Sequence, residues 1–170
     1  CDEDWAKAVS EQAFKIQHTS NYYYTKVQAD FSTKLCDVTG YDKVFFGNSG
    51  AEANECAIKL ARKYSFDKYG SGRHNIITLV NSFHGRTLCT LSATGQDSFH
   101  QYFFPFVEGF IYAKANDIQD LKSKLDGSIC AIMIEFIQGE GGVIPLDLNY
   151  IREIEKVCKE NDILFFISSL

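Results

Sequence analysis

Phe45-Phe46-Gly47-Asn48-Ser49-Gly50-Ala51-Glu52-Ala53-Asn54-Glu55 is where the chain passes from a short apolar run into a long helical pattern. The run 43–46 is expected as a strand, and Ala53, Ala57, Leu60, Ala61 and Tyr64 mark one face of the helix that follows. Asn48 or Ser49 is placed to cap that helix. Gly50 and Ala51 then fall in its first turn, where backbone N–H groups lack intrahelical acceptors and the helix dipole is positive. Small residues there let an anion come close, so the turn suits a phosphate group. The G-x-x-x-x-G-K-[ST] pattern of a P-loop is absent. Taken alone, the stretch reads more simply as a capped helix after a tight turn.

Downstream of it, strand and helix patterns alternate. The β-branched run 76–80 ends at Asn81 and Ser82, a loop-rich stretch covers 94–105, and 109–113 is a further strand candidate. Asn116 is a candidate cap for a helix carrying Ile118, Leu121 and Leu125. The continuous apolar run 129–134 suits a strand buried on both faces. Leu148, Ile151, Ile154, Val157 and Cys158 then mark a helix, and 163–167 a last buried strand. Such alternation predicts an α/β fold, a mostly parallel sheet with crossover helices on both faces. Upstream, Trp5, Val9, Ala13 and Ile16 suggest one helix. Tyr24, Val27, Phe31 and Leu35 suggest a second, with Ser20 or Asn21 as its cap and Gly40 as its stop.

Bulk composition narrows the class. Apolar residues make up 45% and charged residues 23%, which is globular rather than disordered. The net charge of -5 and the scattered Lys and Arg argue against a nucleic-acid partner. No apolar stretch is long enough to span a bilayer, so no membrane partner is expected. The six cysteines at 1, 36, 56, 89, 130 and 158 form no C-x-x-C pair, which favours a reduced, cytoplasmic protein. His18, His74 and His100 lack metal-ligand spacing, so no metal is expected.

Two more segments carry chemistry. Ser82-Phe83-His84-Gly85-Arg86-Thr87 follows the strand at 76–80. There an aromatic can stack on a flat ring and an Arg can grip a carboxylate with two hydrogen bonds. Glu135-Phe136-Ile137-Gln138-Gly139-Glu140-Gly141-Gly142 closes the strand at 129–134. It clusters polar groups where open α/β sheets place their ligands. Separately, the first admits a core Phe with a surface Arg, and the second a solvated glycine-rich turn.

In this order, with His18-Thr19-Ser20-Asn21 and Tyr23-Tyr24 upstream, the three segments resemble the class III aminotransferases, which use pyridoxal 5'-phosphate (PLP). The similarity runs from Trp5 to Ile167. Within the class, Asn48 to Glu55 and Phe83 to Thr87 follow the wording of the acetylornithine group. The resemblance implies the large domain of the aspartate-aminotransferase-like fold, incomplete here, with 1–40 a helical segment leading into a partial PLP-binding domain at 41–170. It implies amino transfer between N-acetylornithine and 2-oxoglutarate, small amino-acid and 2-oxo-acid substrates, and a homodimeric parent. Ornithine, succinylornithine and GABA aminotransferases share most of these motifs. A catalytically dead PLP-binding module, or a gene remnant, is the alternative of another kind.

By the same resemblance, Gly50 and Ala51 with adjacent Ser49 would hold the cofactor phosphate, Phe83 would stack on the pyridine ring, and His84 is a weaker cofactor-binding candidate. Arg86 would bind the substrate carboxylate, Glu140 would meet a substrate-binding Arg beyond this chain, and Glu135 and Gln138 would line the same pocket. The sequence departs from the family at its end. Ser168-Ser169-Leu170 stands where the family reads Asp-Glu-Val-Gln, so Ser168 replaces the Asp that pairs with the pyridine nitrogen. No residue matches the Schiff-base lysine, and Lys59 is not a candidate. Opening at Cys1 and stopping just past a buried-looking strand, the chain is expected to be an inactive fragment without the family's N-terminal part, catalytic lysine and C-terminal domain.

Overall fold

The computed structural model describes residues 1–168; Ser169 and Leu170, part of the terminal departure just noted, lie outside the described residues. The chain divides into two compact units, Cys1–Phe46 and the remainder from Gly47 onward.

The first unit holds two helices, α1 (Glu3–Lys15) and α2 (Lys26–Thr39). Asp2 caps α1 by accepting the Trp5 amide hydrogen, and Glu3 and Asp4 complement the dipole. The cap of α2 is Thr25, not Ser20 or Asn21: its hydroxyl accepts from the Gln28 amide. Ser20 instead closes a local turn, its hydroxyl accepting the Tyr22 amide. Gly40 ends α2 in the left-handed conformation, as expected (φ 74°). The run at 43–46 is not a strand; it has no regular secondary structure and no ladder partner among the described residues.

The second unit opens with α3 (Gly50–Tyr69), and four strands follow: β1 (Asn75–Leu79), β2 (Phe110–Ala113), β3 (Ile129–Glu135) and β6 (Leu164–Ser168). They form one sheet in the order β2-β1-β3-β6, every pair parallel. All seven residues of β3 are buried, because it lies inside the sheet with helices on both faces. On one face Ile58 and Ala61 of α3 meet Ile76, Ala131 and Met133. On the other, α6 (Leu148–Asn161) sends Ile154, Val157 and Cys158 against Ile77, Leu79, Ile132 and Ile134. Between β3 and α6 lies a small antiparallel hairpin, β4 (Ile137–Gln138) with β5 (Ile144–Pro145).

Three further details differ from the expectation. The buried residues of α3 are Ile58, Ala61 and Ser65, whereas Leu60 and Tyr64 are exposed. A short helix α4 (Leu88–Ala93), capped by Thr87, occupies a stretch without an expected element. The cap of α5 (Ile118–Ser123) is Asp117; Asn116 adopts a left-handed turn, and its side chain accepts the Asp147 amide. Among the described residues no cysteine is paired with another, and no helix is long and apolar enough to cross a membrane.

Candidate functional site

Strand order places the site. From β1 the chain moves outward to β2, and from β3 it moves the opposite way to β6. The carboxyl ends of β1 and β3 therefore flank the switch point of the sheet, where the two outgoing segments part and leave a crevice. A cavity of ≈ 440 Å³ lies there, lined by Gly50, Ala51, Asn54, Phe83, His84, Gly85, Arg86, Glu140 and Ser168.

The amino end of α3 forms one side. Ser49 is the cap: its hydroxyl accepts from the Glu52 amide at 3.2 Å, its carbonyl accepts from Ala53 at 3.1 Å, and the Glu52 carboxylate reaches back to the Asn48 amide. This reciprocal capping satisfies the amides of Asn48, Glu52 and Ala53. Gly50 and Ala51 are left, and helix geometry gives their N–H groups no internal acceptor. A Cβ added at Gly50 would meet nothing within 4 Å, so the approach to these amides is open.

The segment after β1 forms the second side. Gly85 brings it close: a Cβ there would stand 2.8 Å from Ala51 Cβ and 2.6 Å from the Thr90 hydroxyl, at a φ of 135°. The half-buried Phe83 ring packs at a tilt against Phe99, centroids 5.7 Å apart, and the exposed Arg86 guanidinium stands 6.0 Å from its centroid. His84 is buried, with neither ring nitrogen hydrogen-bonded among the described residues, and burial pushes its pKa down to about 4. It is therefore a neutral imidazole near pH 7.

Asn54 joins the walls. Its side-chain amide donates to the His84 carbonyl at 2.8 Å and to the Ser168 hydroxyl at 3.0 Å. Asn54 was not expected at the site; its signal in the sequence is a polar residue on the helix face that also carries Ala57, Ile58 and Ala61. Gly85 was likewise missed, since a close backbone approach leaves no trace in polarity or periodicity.

Glu135 and Gln138 do not line the cavity. Glu135 is 1% exposed, and its carboxylate accepts the Phe83 amide at 2.9 Å. Burial pushes its pKa up to about 7, opposed by the amides of Phe83 and Gly139. Gln138 is buried and donates to the Val80 carbonyl at 2.9 Å. Both side chains turn back into the protein and tie the β3 exit to the β1 exit, while Glu140 reaches the cavity. Ser168 lines the cavity and pairs in register with Glu135. Among the described residues no group of three His, Cys, Asp or Glu is arranged to hold a metal ion.

A second hollow of ≈ 370 Å³ lies wholly in the first unit, between residues such as Ile16, Val27, Phe31 and Phe46. The amino end of α2 lines it through Thr25, Val27 and Gln28, but no Arg or Lys does, so the cavity at the switch point, which holds Arg86, is the better anion site.

The Aminotransferase class-III family profile matches residues 1–168. Among curated relatives, an acetylornithine aminotransferase of Haemophilus ducreyi is 53% identical over 170 residues, covering 99% of this chain and 43% of the relative. One from Caldanaerobacter subterraneus is 46% identical and covered to the same 43%. The chain thus spans about two fifths of the length of the curated relatives it matches. Among solved structures, N-acetylornithine aminotransferase from Stenotrophomonas maltophilia is 33% identical, with a TM-score of 0.79 over 98% of this chain and 40% of that one. An ornithine aminotransferase from Toxoplasma gondii, with partial occupancy of PLP at its active site, superposes with a TM-score of 0.93 at 28% identity, over 98% of this chain and 40% of that one.

Proposed function

The chain belongs to the class III aminotransferase family, and from that premise we propose that its cavity binds PLP and serves amino transfer from N-acetylornithine to 2-oxoglutarate in the whole protein. The observation that carries this reading is the meeting, in one cavity at the switch point, of a helix amino end with free amides, an aromatic ring and an arginine. The residues fit the cofactor. The volume of ≈ 440 Å³ lies within the roughly 300–1,000 Å³ usual for small-molecule sites. The open approach at Gly50 admits a phosphate, and the dipole of a 20-residue helix favours its charge.

In this reading Gly50 and Ala51 bind the phosphate, with Ser49 holding the turn in shape. Phe83 faces the ring and His84 supports it from behind as a neutral, buried group. Arg86 takes a substrate carboxylate by a charge-assisted, two-pronged contact. Glu140, from the opposite wall, sets the charge that the incoming substrate meets. PLP, when bound, supplies an electron sink for the substrate carbon that loses its proton. Residues 41–170 are then the cofactor-binding part of the large domain, and 1–40 a helical lead-in. A homodimer suits the first unit: no residue of α1 or α2 is buried, and Phe14, Tyr22 and Tyr24 are at least 91% exposed, apolar surface for a second subunit to cover. Six unpaired cysteines suit the reducing cytoplasm.

The acetylornithine preference rests on the curated relatives at 46–53% identity. A substrate panel with the whole protein tests it: kcat/KM should be highest for N-acetylornithine, and a preference for ornithine or GABA would reassign the donor. A second reading is favoured by Ser168, whose hydroxyl bonds to Asn54 and brings no negative charge to the cavity floor. A pyridine nitrogen there would lack an anionic partner to keep it protonated. In that case the chain binds PLP without turning substrate over. Loading with PLP and reducing with borohydride separates the two readings: cofactor fixed to one lysine supports turnover, and cofactor recovered free supports binding alone.

A further inference from the structure

Glu135 stands outside the cavity, yet it contacts the backbone of the segment that forms one wall. The exits of β1 and β3 diverge at the switch point, and something must hold them at a fixed spacing if a ring is to be gripped between them. Three ties cross the gap. Gln138 donates to the Val80 carbonyl at 2.9 Å. Gly141 packs so closely that an added Cβ would stand 2.5 Å from the Asn81 carbonyl oxygen. Glu135 accepts the Phe83 amide at 2.9 Å. Of these, only the Glu135 tie reaches a residue that lines the cavity, and only it involves an ionisable group.

Burying a carboxylate is costly unless it holds partners. Glu135 is 1% exposed, and one of its oxygens has no hydrogen-bond partner among the described residues. Its presence in an otherwise apolar strand is hard to explain as packing, since Ala131 and Met133 share its face of β3 and serve the core without charge. Its other oxygen is aimed at the Phe83 N–H, next to His84 and two residues before Gly85, which packs against Ala51 at the amino end of α3.

We propose that Glu135 is a positioning residue: by holding the Phe83 backbone amide it fixes the angle of the Phe83 ring over the cavity, and so sets affinity for the ring of a ligand rather than for its phosphate. The inference rests on the PLP reading above. It reassigns Glu135 from the cavity wall to the support behind it.

Glu135→Gln keeps the size of the side chain and weakens only the charge-assisted bond. In the free chain above pH 7, where Glu135 is ionised, amide exchange at Phe83 should speed up by about tenfold, since hydrogen bonds to ionised groups are about twice as strong as neutral ones. The thermal midpoint should not fall, because a buried charge is removed. PLP affinity should drop by about tenfold while affinity for inorganic phosphate stays within about twofold. Unchanged exchange at Phe83 would overturn the tie. Equal loss of PLP and phosphate affinity, or a lowered midpoint with exchange faster throughout the sheet, would reduce Glu135 to a general structural role. If the unsubstituted chain bound no PLP, the cofactor reading would fail, and the tie would be judged by the Phe83 exchange alone.

Discussion

Two buried groups, His84 in the cavity wall and Glu135 behind it, titrate in opposite senses, and substituting one should uncover the other. His84 has a pKa of about 4 in the folded chain, against 6.5 for a free imidazole. Between those values the unfolded chain holds a proton that the folded chain does not, so stability rises with pH there. Its contribution is complete above 6.5 and is lost as pH falls toward 4. Glu135 has a folded value of about 7, against 4.5 when free. Between those values the folded chain holds the extra proton, so stability falls as pH rises. Each interval, at about 1.36 kcal/mol per tenfold change in proton concentration, is worth on the order of 3 kcal/mol. Neither group appears among the charges that shift the other, so over pH 4.5–6.5 the two slopes nearly cancel. Asp120, Asp126 and Glu155 have pKa values held below their usual ones, by Lys124, Ser128 and Lys159 respectively, and their effects fall below that window. Urea unfolding followed by circular dichroism at half-unit pH steps should therefore give a nearly flat profile for the unsubstituted chain. For Glu135→Gln, stability should drop by about 3 kcal/mol from pH 6.5 to 4, mostly above 4.5. For His84→Asn, it should instead fall as pH rises from 4.5 to 7. A flat profile for Glu135→Gln would refute the burial of a neutral, unpartnered His84.

Three further outcomes follow from local geometry. Ser49→Ala removes the cap of α3 and should cost about 1 kcal/mol in thermal unfolding, together with a weaker affinity for inorganic phosphate; unchanged phosphate affinity would separate the cap from the anion site. Gly141→Ala should force the hairpin away from Asn81 and cost on the order of 1–3 kcal/mol, and a neutral substitution would contradict the close approach. Ile132→Ala, in the strand buried on both faces, should cost about 2–5 kcal/mol, measured by the same urea titration, and a loss under 1 kcal/mol would argue against that burial.

Some of this architecture was legible from residues alone. The run at 129–134 could be read as a buried strand because it is continuously apolar, and Gly40 as a helix stop because few residues tolerate its conformation. The run at 43–46 misled, since three apolar residues after Lys43 do not reveal whether a partner strand exists. On α3, Leu60 and Tyr64 attracted the assignment of the buried face, but the stripe through Ile58, Ala61 and Ser65 faces the sheet, with Asn54 hidden at its amino end. The cap of α2 was misplaced because several hydroxyl and amide residues precede it, and each is a fair cap by type. Around the cavity, the sequence located the segments but not their side-chain directions. Glu135 and Gln138 sit where a strand opens into a loop, which suggests exposure; only the backbone path shows both turning inward to Phe83 and Val80.

The account stands most directly on whether the amino end of α3 and the Phe83 segment bind one ligand together. Titrating this chain with PLP, and following the cofactor absorbance, measures that. The expected result is saturable binding that inorganic phosphate competes away and that Ala51→Glu, which sets a negative charge among the free amides, abolishes. Binding indifferent to both phosphate and Ala51→Glu, or no binding at all, would contradict it.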